Sequence, residues 1–150
     1  MKLFAILLGL AAASCAWSAA PVTAQTLPFD GRWLLDDHAE AQAAYTVLTI
    51  KGERMTWRGP DKSAPACVQE FVLKKESRGA EYLDGRGRKF LAGVPGSLPT
   101  YLLKLRTSTC GRVDEEVRIS YPLVYDTRHI ELIEYLNGKP VSSRRFHRKK

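Results

Sequence analysis

Apolar and polar residues alternate in short runs along most of this chain, and residues typical of turns separate the runs. Residues 45–50 alternate and are rich in β-branched side chains, and residues 54–58 alternate again. Between them, residues 51–53 are short enough for a tight hairpin connection. A period of two residues turns one face of a strand toward the core and the other toward solvent. The pattern therefore predicts antiparallel β-structure.

The C-terminal residues 129–148 carry the clearest hairpin signal. Two runs of strand-favouring residues flank Asn137-Gly138, and Asn-Gly is the strongest short signal for a two-residue turn of the primed type. Both turn residues need positive φ, which Asn and Gly tolerate. Because this hairpin lies at the end of the chain, its other partner strands must come from earlier segments.

The remaining strands follow from the same reasoning. They are predicted at residues 30–35, 67–74, 81–83, 89–91, 101–107 and 116–121, with loops at 59–65 and 94–99. Pro122 ends the last of them or places it at a sheet edge, because proline cannot donate to a ladder. Residues 37–44 have helix-forming composition, so a short helix and an ordered loop both fit.

Eight to nine closely spaced strands without an internal repeat are typical of a sandwich or an up-and-down barrel. Sequential hairpins at 45–58, 81–91 and 129–148 favour the meander of a barrel. Closing the sheet also removes exposed strand edges. We therefore predict an all-β, antiparallel, eight-stranded up-and-down barrel with at most one short helix near 37–44.

The N-terminus has the composition of a secretory signal peptide. Lys2 is followed by an apolar run over residues 3–13 and by the small residues 22–24. This run is about half the roughly 20 residues of a membrane span, so we do not expect the chain to span a membrane. We predict cleavage after residue 24, a single domain over 25–150, and a periplasmic or secreted location. Lipidation at Cys15 is a rival interpretation, although Ala12 stands where lipoproteins usually carry leucine.

The two cysteines of the mature chain are Cys67 and Cys110. In an exported protein such a pair favours a disulfide, and two free thiols are the alternative. A bridge closing a loop of about 44 residues stabilises the fold by about 4 kcal/mol in the chain-entropy treatment.

The positive charge of the chain is concentrated at its C-terminus. The net charge is +7, and loss of Lys2 leaves +6. Five of those six charges are carried by Arg144, Arg145, Arg148, Lys149 and Lys150. A nucleic-acid-binding protein needs a basic face across the domain, so we expect no nucleic-acid partner. The basic terminus either contacts anionic surfaces or is a solvated end.

The first strand carries Gly31-x-Trp33, which resembles the opening motif of the lipocalins and their calycin relatives. The resemblance implies a small barrel in which the glycine permits tight packing at the closed end and Trp33 plugs the base. It also implies that an arginine near the C-terminus, Arg145 or its neighbour Arg144, packs across the tryptophan in a cation–π contact. The Thr-Asp-Tyr motif of that family is missing, since residues 125–127 have a different order.

Residues suited to catalysis are scattered, so we expect no enzyme, metal site or cofactor. His38, His129 and His147 do not have the spacing of a zinc site. No Gly-x-Ser-x-Gly elbow supports a hydrolase built on His129 with Asp126. The acidic residues near 36–40 fit a solvated loop, and residues 85–89 fit a hairpin turn better than a phosphate loop.

Aromatic residues occur in nearly every predicted strand. The interior of an eight-stranded barrel holds either side chains alone or one small ligand. We therefore predict a binding protein for a small apolar or amphipathic ligand, with Trp57, Tyr101 and Tyr135 lining the cavity. A packed core is the alternative. In that case we expect a protein that inhibits a secreted or cell-wall hydrolase through the exposed loops 59–66 and 93–99.

Overall fold

A computed structural model describes residues 26–36, 43–110, 116–122 and 126–149, and these residues form strands but no helix. The predicted signal segment and most of the predicted helix at 37–44 lie outside them, and Ala43 and Ala44 are not helical. No helix in the described ranges has the length and hydrophobicity needed to cross a membrane. The strands are β1 (Gly31–Leu35), β2 (Val47–Lys51), β3 (Arg54–Arg58), β4 (Cys67–Lys74), β5 (Glu81–Leu83), β6 (Lys89–Leu91), β7 (Thr100–Ser108), β8 (Glu116–Ser120), β9 (His129–Leu136) and β10 (Lys139–Arg148).

Eight of these strands form a closed antiparallel barrel, which confirms the predicted fold class. Their order around the barrel is β1-β10-β9-β8-β7-β4-β3-β2, and β2 pairs with β1 to close it. The predicted turn between β9 and β10 is also confirmed, because Asn137 and Gly138 have φ values of 51° and 73°. This architecture is compatible with a calycin-like fold.

The hairpin at 81–91 is not part of the barrel, so the prediction that it belongs to the meander is wrong. β5 and β6 form a separate two-stranded sheet, and β4 pairs directly with β7. Three-residue strands make few ladder hydrogen bonds, whereas β4 and β7 have eight and nine residues. The segment 75–99, called here the 75–99 connection, leaves the barrel after β4 and returns at β7.

The 75–99 connection lies across the outer wall of the barrel. At Gly85 its backbone is so close to β10 that an added Cβ would lie 2.1 Å from the Cβ of Ser143. The Tyr135 hydroxyl on the outer face of β9 donates a hydrogen bond to the carbonyl of Leu83. The outward residues Arg118 of β8 and Ile133 and Tyr135 of β9 are buried, and Tyr135 is covered by this segment. His129, at the start of β9, stays partly exposed.

Alternation along the strands fills the interior of the barrel with apolar side chains. The fully buried ones include Trp33, Phe29, Phe71, Phe146, Leu35, Leu48, Ile50, Met55, Leu103, Ile119, Ile130 and Leu132. Burying an aliphatic or aromatic side chain of this size contributes about 1.5–3 kcal/mol. The described interior is thus a packed core.

One end of the barrel is closed by Trp33 and Arg148. The Trp33 side chain is completely buried, and its Nε1 donates a 3.0 Å hydrogen bond to the carbonyl of Phe29. The Arg148 guanidinium lies 4.4 Å from the Trp33 ring centroid and donates to the carbonyls of Asp30 at 2.9 Å and Pro28 at 3.2 Å. This stack, a cation–π contact, covers the tryptophan from the solvent side.

The covering arginine is therefore Arg148, and the prediction of Arg145 is wrong. β1 and β10 pair Trp33 with Arg148, and a 2.9 Å hydrogen bond from Lys149 N to Arg32 O flanks that pair. Trp33 and Arg148 therefore form a non-hydrogen-bonded antiparallel pair, the type in which opposite side chains come closest. Arg145 is exposed on the opposite face of β10, beside Glu131 of β9.

Gly31 allows the closing arginine to approach. A Cβ at this position would lie 2.7 Å from Arg148 Nη1, and the residue has a φ of 145°. Any side chain would collide with the guanidinium and strain the backbone. The role of the motif glycine as a site of tight packing is thus visible at the contact with Arg148.

Candidate functional site

The barrel has a mouth at the end opposite Trp33, and a pocket of about 200 Å³ lies there. Because the strands are antiparallel, this end collects the last residues of β3 and β9 and the first residues of β4 and β10. The pocket is lined by Tyr45, Trp57, Gln69, Glu134 and Arg144 and by the cysteines Cys67 and Cys110. We consider it the first candidate site, because aromatic, amide and charged groups converge on one opening.

The mouth is a layer of polar groups that bind one another above the apolar core. Trp57 is only 3% exposed, and its Nε1 donates a 2.8 Å hydrogen bond to Gln69 Oε1. Arg144 Nη2 lies 2.6 Å from Glu134 Oε1, and its guanidinium is 5.1 Å from the Trp57 ring centroid. Arg144 Nε has no hydrogen-bond partner among the described residues. This Nε is itself buried, so the layer contains an unsatisfied donor that lies below its surface.

The predicted disulfide between Cys67 and Cys110 is confirmed, and it lies at the mouth. The two Cα atoms are 5.0 Å apart. The bond joins the first residue of β4 to the segment that follows β7. It thereby anchors the near end of the exposed loop 59–66, in which Asp61 Oδ1 accepts hydrogen bonds from the Ser63 amide at 2.8 Å and hydroxyl at 2.7 Å. These hydrogen bonds lower the pKa of Asp61, and the bond from the Ser63 hydroxyl has the largest effect.

A second candidate site is a groove of about 360 Å³ between the 75–99 connection and the outer wall formed by β7, β8 and β9. We call it the outer groove. Its lining includes Glu76 and Tyr82 of the connection, together with Arg118 and Tyr135 of the wall. An arginine on the outside of a barrel is normally solvated, but here the connection covers it.

Arg118 is the most buried charge in this groove, with 3% of its side chain exposed. It binds both carboxylate oxygens of Glu76 at 2.7 and 2.5 Å, donates to the Thr100 hydroxyl at 3.0 Å, and stacks 4.0 Å from the Tyr82 ring centroid. Burial alone would lower the pKa of Arg118, but the hydrogen bonds and charge of Glu76 outweigh it and the pKa rises. The guanidinium stays charged, and Glu76 neutralises it.

The two tyrosines of the outer groove are neutral at physiological pH. Burial raises the pKa of Tyr135 to about 12, against the opposing charge of Arg118. Burial also raises the pKa of Tyr82. Neither hydroxyl is suited to act as a base near neutral pH, since a general base needs a pKa close to the working pH. We therefore interpret the side chains of the outer groove as contacts that hold the 75–99 connection against the barrel wall, and we call this arrangement the clamp.

The three residues predicted to line one cavity are placed in three different environments. Trp57 lies at the mouth, and Tyr101 lies toward the closed end, 5.0 Å from the Phe29 ring centroid. Tyr135 is on the outer wall. The packed core separates Trp57 from Tyr101. The predicted loops are likewise apart, because 59–66 is at the mouth and 93–99 leads into β7 at the closed end.

His129 and Asp126, on which a hydrolase would have to be built, lie close together, but the nearby candidate nucleophiles Ser143 and Ser97 bind elsewhere. His129 Nδ1 lies 2.8 Å from Asp126 Oδ2. Hydrogen bonds lower the pKa of Asp126. The bond from the backbone N–H of Arg128 has the largest effect, and the bond from the His129 side chain has the next largest. Ser143 donates to Glu131 at 2.6 Å, and Ser97 donates to the carbonyl of Val94 at 2.7 Å. In the described part of the chain, no group of three or more His, Cys, Asp or Glu side chains could hold a metal ion.

Comparison with known proteins gives no match: neither a protein-family model, nor a curated protein, nor a solved structure matches this chain.

Several residues of both sites were not predicted from the sequence. Gln69 and Glu134 occupy inward positions of strands, where polar residues are uncommon, and that irregularity in the alternation is a usable signal. Arg118 occupies an outward position of β8, where a charged residue is ordinary. Its burial depends on the 75–99 connection, and nothing in the local pattern of residues 116–121 indicates it.

Proposed function

We propose that this chain is an exported binding protein, not an enzyme, and that it recognises another exported protein with the mouth end of its barrel. The observation that carries the proposal is the packed interior. Large side chains such as Trp33, Phe71 and Phe146 fill the barrel, and the layer around Trp57 and Arg144 closes it above. A carrier of an ordinary small molecule needs a cavity of about 300–1,000 Å³ that buries most of its ligand.

The mouth end offers the features of a recognition surface. Leu136 and Val141 are 42% and 45% exposed near the tip of the β9–β10 hairpin. The loop 59–66 is rich in proline and alanine, ends at the disulfide, and is mostly exposed. Exposed apolar side chains and a partly buried arginine are typical of surfaces that bind proteins. An inhibitor of a secreted or cell-wall hydrolase is the partner relationship we favour.

Two observations support export. Residues 1–24 have the composition of a signal peptide. The disulfide between Cys67 and Cys110 is of a kind that persists in oxidising compartments. The proposed compartment is therefore the periplasm or the extracellular medium, where both the protein and its partner would meet.

The closed end supports a relationship to the lipocalins. Gly31, Trp33 and Arg148 form the arrangement that the resemblance implies, with the arginine stacked on the tryptophan. In that relationship this chain would be a small relative whose interior is filled by side chains.

A second candidate function is binding of a small amphipathic molecule at the mouth. The pocket of about 200 Å³ between Tyr45, Trp57 and Arg144 favours it, because a planar apolar group could stack on the aromatic rings and an acidic group could lie beside the partly exposed guanidinium of Arg144. Such a ligand would sit on the barrel, with little of its surface inside.

Crosslinking in living cells tests the proposal. A photo-crosslinking amino acid replaces Val141 at the mouth or, as the control, the exposed Glu53 in the β2–β3 hairpin at the closed end. We expect one protein to be crosslinked from position 141 and not from position 53. The purified pair should then bind at least about tenfold more weakly with Leu136→Asp, as expected when a central apolar contact is lost, and unchanged with Glu53→Gln.

Equal crosslinking from both positions, or none from position 141, would contradict recognition through the mouth. Native mass spectrometry of the protein isolated from its own compartment separates the second candidate. A reproducible extra mass that disappears on denaturation and is lost with Arg144→Met would identify a small ligand at the mouth.

A further inference from the structure

Two histidines face each other on the outer wall of the barrel, away from both sites described above. The β9–β10 register pairs His129 with His147. A 2.7 Å hydrogen bond from Arg148 N to Arg128 O flanks the pair, so the two histidines form the close, non-hydrogen-bonded type of antiparallel pair. In such pairs the Cα atoms are about 4.5 Å apart and the side chains leave the sheet next to each other.

Each histidine has its own carboxylate. His129 Nδ1 lies 2.8 Å from Asp126 Oδ2, and His147 Nδ1 lies 3.1 Å from Asp36 Oδ1. When Nδ1–H donates to a carboxylate, the lone pair of the neutral ring is on Nε2, and the ring orientation is fixed. Both histidine side chains are 38% exposed, so their outer edges are accessible to solvent.

We propose that His129 and His147 bind one divalent transition-metal ion of the zinc class through their Nε2 atoms. Zinc–nitrogen bonds of 2.0–2.1 Å at a tetrahedral angle require the two nitrogens to be about 3.3 Å apart, which neighbouring side chains on one sheet face can reach. Asp126 and Asp36 act as the carboxylates behind the ligands. They hold the rings, raise the basicity of the nitrogens and contribute negative charge.

The protein supplies two ligands to this ion, and water completes the coordination. This agrees with the finding that no group of three or more metal-binding side chains occurs among the described residues. The site is therefore an exchangeable one, weaker than a structural zinc site with four protein ligands. It is independent of the function proposed for the mouth, because His129 and His147 lie on the outer face of β9 and β10 near the closed end.

Titration of the untagged protein with Zn²⁺ alone tests the inference, by calorimetry and by NMR of the imidazole nitrogens. We expect one ion per chain, with zinc-dependent shifts of Nε2 in both His129 and His147. His129→Asn and His147→Asn should each weaken binding by more than about tenfold. Asp126→Asn should weaken it by about 10–100-fold with both ligands still present. Glu70→Gln, which removes the same charge from an exposed ion pair on β4, should change nothing.

The inference is overturned if no saturable binding occurs up to about 1 mM zinc, or if either single histidine variant binds as tightly as the native chain. A variant that fails to fold does not remove the test, because the Nε2 shifts are measured on the native protein. Their absence in the presence of bound zinc would place the ion elsewhere.

Discussion

Replacing Glu76 by glutamine is expected to destabilise the protein far more than its position in a surface connection suggests. The change keeps the size of the side chain and removes the negative charge that neutralises Arg118. The arginine stays charged and 3% exposed, stacked on the Tyr82 ring and bound to the Thr100 hydroxyl. Removing one partner of a buried ion pair costs about 3–5 kcal/mol. Because the glutamine oxygen can still accept one hydrogen bond, we expect a value near the lower limit.

The double variant Glu76→Leu with Arg118→Met tests whether the uncompensated charge is the cause. Replacing both charges by apolar groups of similar size is often nearly neutral, because it also removes the cost of desolvating them. We therefore expect the double variant to be more stable than Glu76→Gln alone. Such a result would mean that the two residues are strongly coupled.

Urea unfolding of the oxidised protein, followed by the fluorescence of the buried Trp33 and Trp57, measures these free energies. The matched control is Glu70→Gln, since the Arg54–Glu70 pair has the same chemistry but side chains 61% and 46% exposed. We expect that control to cost about 0–1 kcal/mol. A cost below about 1 kcal/mol for Glu76→Gln would refute the clamp. So would a double variant that loses as much free energy of unfolding as its two single substitutions lose when their losses are added.

Three further predictions concern the closed end and the outer wall. Trp33→Ala should lower the free energy of unfolding by about 3–5 kcal/mol in the same urea assay. Arg148→Ala should lower it by about 1–3 kcal/mol through the lost stack and hydrogen bonds, and Arg145→Ala by less than about 0.5; equal effects would contradict the assignment of Arg148. For Tyr135, whose pKa rises from 10.0 to about 12, the contribution to stability should be constant below pH 10 and fall between pH 10 and 12, because the unfolded chain releases the proton first. Tyr135→Phe should reduce the alkaline loss of stability in unfolding measurements, and what remains is expected from Tyr82 and Tyr121, whose pKa values burial also raises.

The positions of most strands were predictable because they depend on local alternation, although the described residues form ten strands where eight to nine were expected. β3 and β4 begin and end at the predicted residues, and the turn at Asn137 is where the sequence places it. The pairing of the strands was not predictable in the same way. Residues 81–83 and 89–91 alternate like any barrel strand, but they pair only with each other. A local pattern contains no information about which longer strand competes for β4.

A single extra residue explains why the arginine assignment and the histidine pair were missed. An uninterrupted ladder from the two-residue turn would place His129 opposite Phe146. The structure has a bulge between Pro140 and Ser142, and the register beyond it is shifted by one residue. A shift of one residue turns every side chain of a strand to the other face. It therefore puts Phe146 and Arg148 inside the barrel and His147 outside, opposite His129.

The same bulge also connects the closed end, the mouth and the outer wall. With β10 shifted, Arg144 points into the mouth above Trp57 and Arg148 points at Trp33, so one strand caps the core at both ends. An eight-stranded barrel is only just wide enough for its own side chains, and a core capped in this way leaves no entrance along its axis among the described residues. Groups available to other molecules are consequently on the rim and the outer wall. For this reason we place recognition at the mouth and the metal ion on the β9–β10 face, and expect neither to depend on an internal cavity.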